Sequence, residues 1–272
     1  MKKVFLLLAM TLCVMVYAVD GLYVGTDFEI GNFGADEIST EMGLRFFVGY
    51  EGVFMDEALT LDAEIGFNME DFDNMSNGLD IEVEFGYYFT DSLGFHLNSY
   101  TDIYFGEEAD EPESWLAPGL SYNLLGDFPM FFRVDVPMLL MADEMDALDT
   151  IKLDFTISFL KERELAYQTH DGFGAEIQLL NILSDKDDSG FLETLLLTPF
   201  YSAGDIYFEA EIGLPLYEKG MDIEGLTITP LMEMYIPALD GLSCYLKLPI
   251  SNIAAEAGDT VIGLGFGFKF AF

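Results

Sequence analysis

The sequence predicts an all-β fold, an antiparallel up-and-down transmembrane β-barrel of about 14 strands, with 12 as the alternative count. Three observations predict it. Apolar and polar residues alternate with a period of two along the chain, short and long connectors alternate between those segments, and the chain opens on an export segment. Strand side chains point to opposite faces in turn, so such a pattern gives each strand one apolar and one polar face.

Composition sets the frame. The chain has 272 residues, 51% apolar and 15% aromatic, with 49 acids against 11 bases and a formal charge of −38. A disordered acidic tail lacks that apolar content. A nucleic-acid binder needs a basic face, which 11 Lys and Arg scarcely build, so no nucleic-acid partner is expected. A helical membrane protein needs runs of about 20 apolar residues, and none is present. Two cysteines make no disulfide scaffold.

Met1-Lys2-Lys3 is a positive start, Val4 to Val16 is apolar, and Val16-Tyr17-Ala18 reads as a cleavage site. Residues 1–18 are therefore expected to be a secretory signal peptide, and 19–272 a single transmembrane barrel domain. Leu12 before Cys13 lacks the small residue that a lipid-attachment site wants, so the lipoprotein reading is set aside. Removing Lys2 and Lys3 leaves nine bases against the 49 acids, with Cys244 as the remaining cysteine.

The alternating segments begin near Leu22, Glu41, Leu59, Leu79, Leu93, Trp115, Phe128, Asp149, Glu164, Phe191, Asp205, Leu226, Leu239 and Thr260. The third is the cleanest: Leu59, Leu61, Ala63, Ile65, Phe67 and Met69 alternate with Thr60, Asp62, Glu64, Gly66, Asn68 and Glu70. The fourth repeats it from Leu79, with Asp80, Glu82 and Glu84 on its polar phase. Most run slightly above the ~9–11 residues of a tilted spanning strand.

Connectors carry independent information. Asp91-Ser92, Leu125-Gly126-Asp127, Lys161-Glu162-Arg163 and Gly204 are short, whereas Asn32–Thr40, Asp71–Gly78, Gly106–Ser114, Leu140–Leu148, Asn181–Gly190, Tyr217–Gly225 and Ser251–Asp259 are long. Glu51–Ala58 is the exception, a long stretch where a short turn is expected. The ninth segment, Glu164 to Leu180, needs a bulge around His170-Asp171-Gly172 to keep its phase. The tenth is apolar on both faces at Leu195, Leu196 and Leu197. Pro199 and Pro230 each remove a ladder donor, which keeps the 12-strand count open.

A soluble sandwich shows the same alternation with its apolar face inward, so the export segment, the loop rhythm and the C-terminus break the tie. The chain ends Gly265-Phe266-Gly267-Phe268-Lys269-Phe270-Ala271-Phe272. Gly267, Phe270 and Phe272 resemble the C-terminal assembly signal of bacterial outer-membrane barrels, with Gly265 departing from its preferred polar first residue. The resemblance implies insertion by the outer-membrane assembly machinery, contact with outer-membrane lipid, and an outer-membrane location after export. By size and strand count the chain is similar to small monomeric fourteen-stranded porins. Tyr50, Phe67, Tyr87, Phe89, Phe105 and Tyr217 lie near segment ends, where interfacial girdles sit.

A barrel of this width is not filled by side chains, so a water-filled pore for small solutes or cations is expected. Its inward phase would carry Asp27, Glu29, Asp62, Glu64, Asp80, Glu82, Glu84, Asp102, Asp135, Asp154, Asp205, Glu209, Glu211 and Glu233. The inward bases would be Arg45, Arg133, Lys152, Lys247 and Lys269. Rings of acids favour cation passage. Lys247, Lys269 and Arg45 become neighbours on closure, where cross-strand salt bridges are the expected arrangement. The other reading is a non-transporting barrel acting in surface binding or adhesion through its long loops.

No enzyme, cofactor or metal centre is expected. His96 and His170 offer catalytic residue types, but no motif places a third residue with them. Asp185, Asp187 and Ser189 open a calcium-like loop closed by Gly190, yet Leu196 stands where the bidentate glutamate belongs, so a polar hairpin loop is the expectation. Gly263, Gly265 and Gly267 resemble a nucleotide fingerprint with no helix following, and are expected instead to thin the wall of the closing strand.

Overall fold

The computed structural model describes residues 21–31, 42–56, 58–70, 76–105, 112–126, 128–141, 153–159, 172–182, 194–217, 220–221, 225–237, 239, 241–253 and 260–272. The expected export segment, the Asp185 stretch, Lys152 and the bulge expected at His170-Asp171 fall wholly or mainly outside these residues.

The described residues form strands and turns, and the strands close into a ring. They are β1 (Leu22–Ile30), β2 (Met42–Phe54), β3 (Leu59–Glu70), β4 (Ser76–Tyr88), β5 (Leu93–Phe105) and β6 (Glu113–Leu124). Then come β7 (Met130–Asp135 continued by Met138–Met141), β8 (Leu153–Phe159), β9 (Gly172–Ile182), β10 (Thr194–Ala203) and β11 (Ile206–Tyr217). The last are β12 (Thr227–Tyr235), β13 (Leu242–Lys247 continued by Ile250–Ser251) and β14 (Val261–Ile262 continued by Leu264–Ala271). A two-residue piece, Gly220–Met221, pairs with the end of β11. Each strand pairs antiparallel with the next, and β14 pairs back onto β1 from Tyr23↔Ala271 to Ile30↔Leu264. The count is 14, not 12. A closed sheet has no free edge, which is the requirement hydrocarbon imposes on any strand-built wall.

The prolines are absorbed without losing a strand. Pro199 pairs with Ala175, and Pro230 with Ala210. A proline in a strand still offers its carbonyl: Leu248 N–H donates to Pro230 O, and Val136 N–H to the O of Pro118 in β6, both at 2.9 Å. The interruptions of β7 and β13 coincide with Pro137 and Pro249.

The stretch Glu51–Ala58 corrects the expectation of a long connector. β2 runs on to Phe54, pairing Glu51↔Asp62 through Phe54↔Leu59. Only a tight turn remains, with Met55 and Asp56 at φ 55° and 56° and Ala58 N–H donating to Met55 O at 3.2 Å. β4 likewise starts at Ser76 rather than Leu79, because it pairs with β3 to its last residue, Glu70.

The apolar phase faces out. Ile65 is 48% exposed and Phe268 47%, whereas Tyr23, Asp80 and His96 on the other phase are 3%, 4% and 1% exposed. Exposed aromatics gather near the short-turn end. Tyr87 packs on Phe89 with centroids at 5.2 Å, Phe128 on Phe159 at 6.3 Å, and Phe173 on Tyr201 at 4.6 Å. The side chain of Tyr217 lies outside the described residues.

Candidate functional site

The inward face of the ring is the candidate site, and its charged groups are placed by the register. Asp62 stands opposite Glu51 and Glu84, Glu64 opposite Glu82, and Asp80 opposite Asp102, which stands opposite Glu113. Arg133 pairs in register with Thr156, and Asp135 with Asp154. Glu233 lies between Tyr207 and Tyr245, Glu209 stands opposite Leu231, and Glu211 opposite Thr229. Directly opposed acids repel, so these rows need water or cations around them.

All bases among the described residues turn inward, and each meets carboxylates. Arg45 bridges three strands: its guanidinium lies 2.5 Å from Glu64, 2.5 Å from Asp80 and 3.6 Å from Asp27. Asn68 also donates to Asp80 at 2.7 Å. Arg133 reaches Glu84 at 3.0 Å and Asp135 at 2.7 Å. Lys247 contacts Glu29, and Lys269 lies 3.9 Å from Glu51. The lysines and Arg45 thus form cross-strand pairs rather than a separate basic patch.

Bulk on this face is accommodated by glycine. Tyr23 pairs with Gly49, Phe47 with Gly25, Tyr88 with Gly94, Phe200 with Gly174 and Tyr245 with Gly267. In every pair the ring occupies the volume that a side chain at the glycine would need. The rings therefore lie along the wall instead of crossing the interior. Gly265 and Gly267 do not leave the closing strand thin, since Lys247 and Tyr245 cover them. Leu196, the inward residue of the doubly apolar segment, abuts Gly213 in the same way.

Three inward acids escape the sequence reading. Glu51 falls in the stretch read as a connector, Glu113 in the connector before β6, and Glu176 in a segment of uncertain phase. Phe54 continuing the even-numbered apolar phase of β2 is the signal that would have found Glu51. Asp205 moves the other way: it sits in the tight turn between β10 and β11, where its carbonyl accepts from Tyr235 N–H at 2.8 Å. Gly267, Phe270 and Phe272 lie on or beside the seam strand, with Phe270 and Phe272 stacked edge to face at 4.6 Å.

His96 comes together with two residues that no motif linked to it. Its Nε2 is 2.5 Å from Ser121 Oγ, and its Nδ1 is 3.8 Å from Glu84. These are the residue types of a nucleophilic triad. Ser121 is only 3% exposed, however, and Tyr88 and Phe131 pack edge-on against the imidazole at 5.6 and 6.3 Å. The arrangement reads as a buried hydrogen-bonded histidine among aromatic rings. Among the described residues no group of three or more His, Cys, Asp and Glu is arranged to hold a metal ion.

No family model and no curated protein matches the sequence. Solved structures do match its shape. The outer membrane protein Omp33 of Acinetobacter baumannii aligns over 93% of this chain and 98% of its own, with a TM-score of 0.56 and 10% identity. The NanC porin aligns over 92% and 100% at TM-score 0.46 and 8% identity, and the KdgM porin over 92% and 99% at 0.44 and 9%. At such identities the likeness is one of fold: a closed, fourteen-stranded antiparallel barrel of the outer-membrane kind.

Proposed function

We propose that the protein is an outer-membrane channel that passes small solutes passively through a water-filled lumen and prefers cations. The observation that carries this reading is the charge imbalance of the inward face. Among the described residues, Arg45, Arg133, Lys247 and Lys269 are its bases, and all four meet carboxylates. Beyond them the face still carries Asp62, Glu82, Asp102, Glu113, Glu209, Glu211 and Glu233. A low-dielectric wall focuses the field of such acids and raises the local cation concentration.

The remaining steps follow from the architecture. Fourteen strands enclose more space than the eight-strand size that side chains fill. The outward apolar phase meets lipid hydrocarbon, where an outward Lys or Arg would cost about 2–4 kcal/mol at mid-depth. The N-terminal segment directs export, and the terminal aromatics present the chain to the assembly machinery. Passage needs no cofactor and no bond making.

Planar-bilayer recording of the refolded protein under a potassium chloride gradient tests the proposal. Discrete current steps with a reversal potential of cation-preferring sign are expected. Absence of steps, or a reversal potential of opposite sign, overturns it.

A further inference from the structure

We propose that the register in which the ring closes is keyed by inward side chains that reach across its closing strand. Lys247 and Tyr245 on β13 meet Glu29 and Asp27 on β1 over the glycines of β14, and Lys269 on β14 reaches Glu51 on β2 past β1. The proposal concerns how the wall closes and holds whatever the interior passes.

The apolar pattern alone leaves this register open. On β14, Phe266, Phe268 and Phe270 recur at every second residue, with Gly265 and Gly267 between them. A slip of β14 against β1 by one residue turns the phenylalanines into the lumen, but a slip by two keeps each of them outward. Glycine-rich strands specify their pairing weakly for this reason. Ionic contacts can supply the missing register even where they add little stability.

The inward groups do distinguish the registers. Lys247, Gly265 and Glu29 share one row across β13, β14 and β1, and Tyr245, Gly267 and Asp27 share another. The Lys247 stem fills the volume a side chain at Gly265 would need, and its ammonium contacts Glu29. At Gly267 that volume is shared by the Tyr245 ring and the Asp27 carboxylate. Lys269 stands opposite Gly25, with its Nζ 3.8 Å from the centre of the Tyr23 ring and 3.9 Å from Glu51. A two-residue slip one way sets Lys269 directly against Tyr23. The other way leaves the Lys247 row facing Gly31 and sets Lys269 opposite Asp27, which already faces Arg45 at 3.6 Å. Of the three registers, the observed one alone gives each lysine a carboxylate of its own and the room to reach it.

Disulfide trapping across the seam tests this in the full chain refolded into lipid vesicles, with Cys13 and Cys244 replaced by alanine. Thr26→Cys with Phe268→Cys marks the observed register, and Thr26→Cys with Phe266→Cys or Phe270→Cys marks the two slips. A disulfide spans about 4.4–6.8 Å between Cα atoms, within reach of opposed residues but short of the ~7–8 Å between residues two out of register. After oxidation with copper phenanthroline, the internal bridge is read as altered mobility on a denaturing gel. The first pair alone is expected to link. Adding Lys247→Met and Lys269→Met should raise linking of the slipped pairs at least fivefold. Lys247→Glu alone should raise it as well, and Glu29→Lys added to Lys247→Glu should restore the original pattern, which a role for lysine bulk would not do. Should the double methionine variant fail to refold, Lys247→Glu and its exchange with Glu29 decide. Equal linking of all three pairs in the parent, an unchanged pattern in the lysine variants, or a rise that the exchange leaves in place overturns the inference.

Discussion

The most consequential single residue is Arg45. It is the hub of three carboxylates, and Asp80, its most buried partner, is only 4% exposed. Removing one member of such a cluster leaves an uncompensated charge, which costs about 3–5 kcal/mol when the pair is buried. Arg45→Met is therefore expected to lower stability by roughly 3 kcal/mol, read as a shift of the urea midpoint in vesicles, and Arg45→Met with Asp80→Asn to recover part of it. Glycines make a second residue-scale prediction. A side chain at Gly49 collides with the Tyr23 ring, whereas one at Gly43 meets only Glu29 Cβ at 3.8 Å. Gly49→Val should destabilise by about 1–3 kcal/mol, as overpacking does, and Gly43→Val should be near neutral in the same assay. The inward acids of the cleanly alternating strands, Asp62, Glu64, Asp80, Glu82 and Glu84 among them, were legible from alternation alone. The glycine sockets were not, because glycine carries no phase of its own and its partner is fixed only by the register between strands.

At the scale of elements, alternation fixed the faces and connectors fixed the count. β3, β11 and β14 alternate cleanly and stand where the pattern puts them. β2 runs through the first part of Glu51–Ala58, the stretch expected to be a long connector: Glu51 is inward and Gly52 stands opposite Leu61. Burial of one face carried the strand past residues whose local preference is for a loop. The turn it reaches is strained in type, since Met55 and Asp56 both adopt positive φ. A positive φ at each position is easiest for Gly and tolerated by Asn. Met55→Asn with Asp56→Gly is expected to stabilise the hairpin by about 1 kcal/mol, seen as a raised urea midpoint with unchanged slope; a lowered midpoint would show that the turn is held by something else. Prolines misled in the opposite sense: Pro199 and Pro230 weaken the case for strands by sequence rules, but the ladder closes around them.

For the whole molecule, the acidic composition and the positive mean hydropathy of +0.28 are reconciled by separating the two kinds of surface. Outward side chains take the apolar phase, and inward ones take the carboxylates, so neither needs a buried core of ordinary size. Ion selectivity should then depend on protonation of the inner acids. Lowering the pH of both compartments through the ordinary carboxylate range, around pH 4, is expected to reduce cation preference toward neutrality, and selectivity that ignores pH would mean that these acids do not set it. The account stands or falls on which face water reaches. With Cys244 replaced by alanine, Glu209→Cys and Phe208→Cys place a thiol on the two faces of β11 at adjacent positions. A membrane-impermeant charged thiol reagent applied during bilayer recording should change the current through Glu209→Cys and leave Phe208→Cys unaffected; reaction at Phe208→Cys with silence at Glu209→Cys would contradict the account.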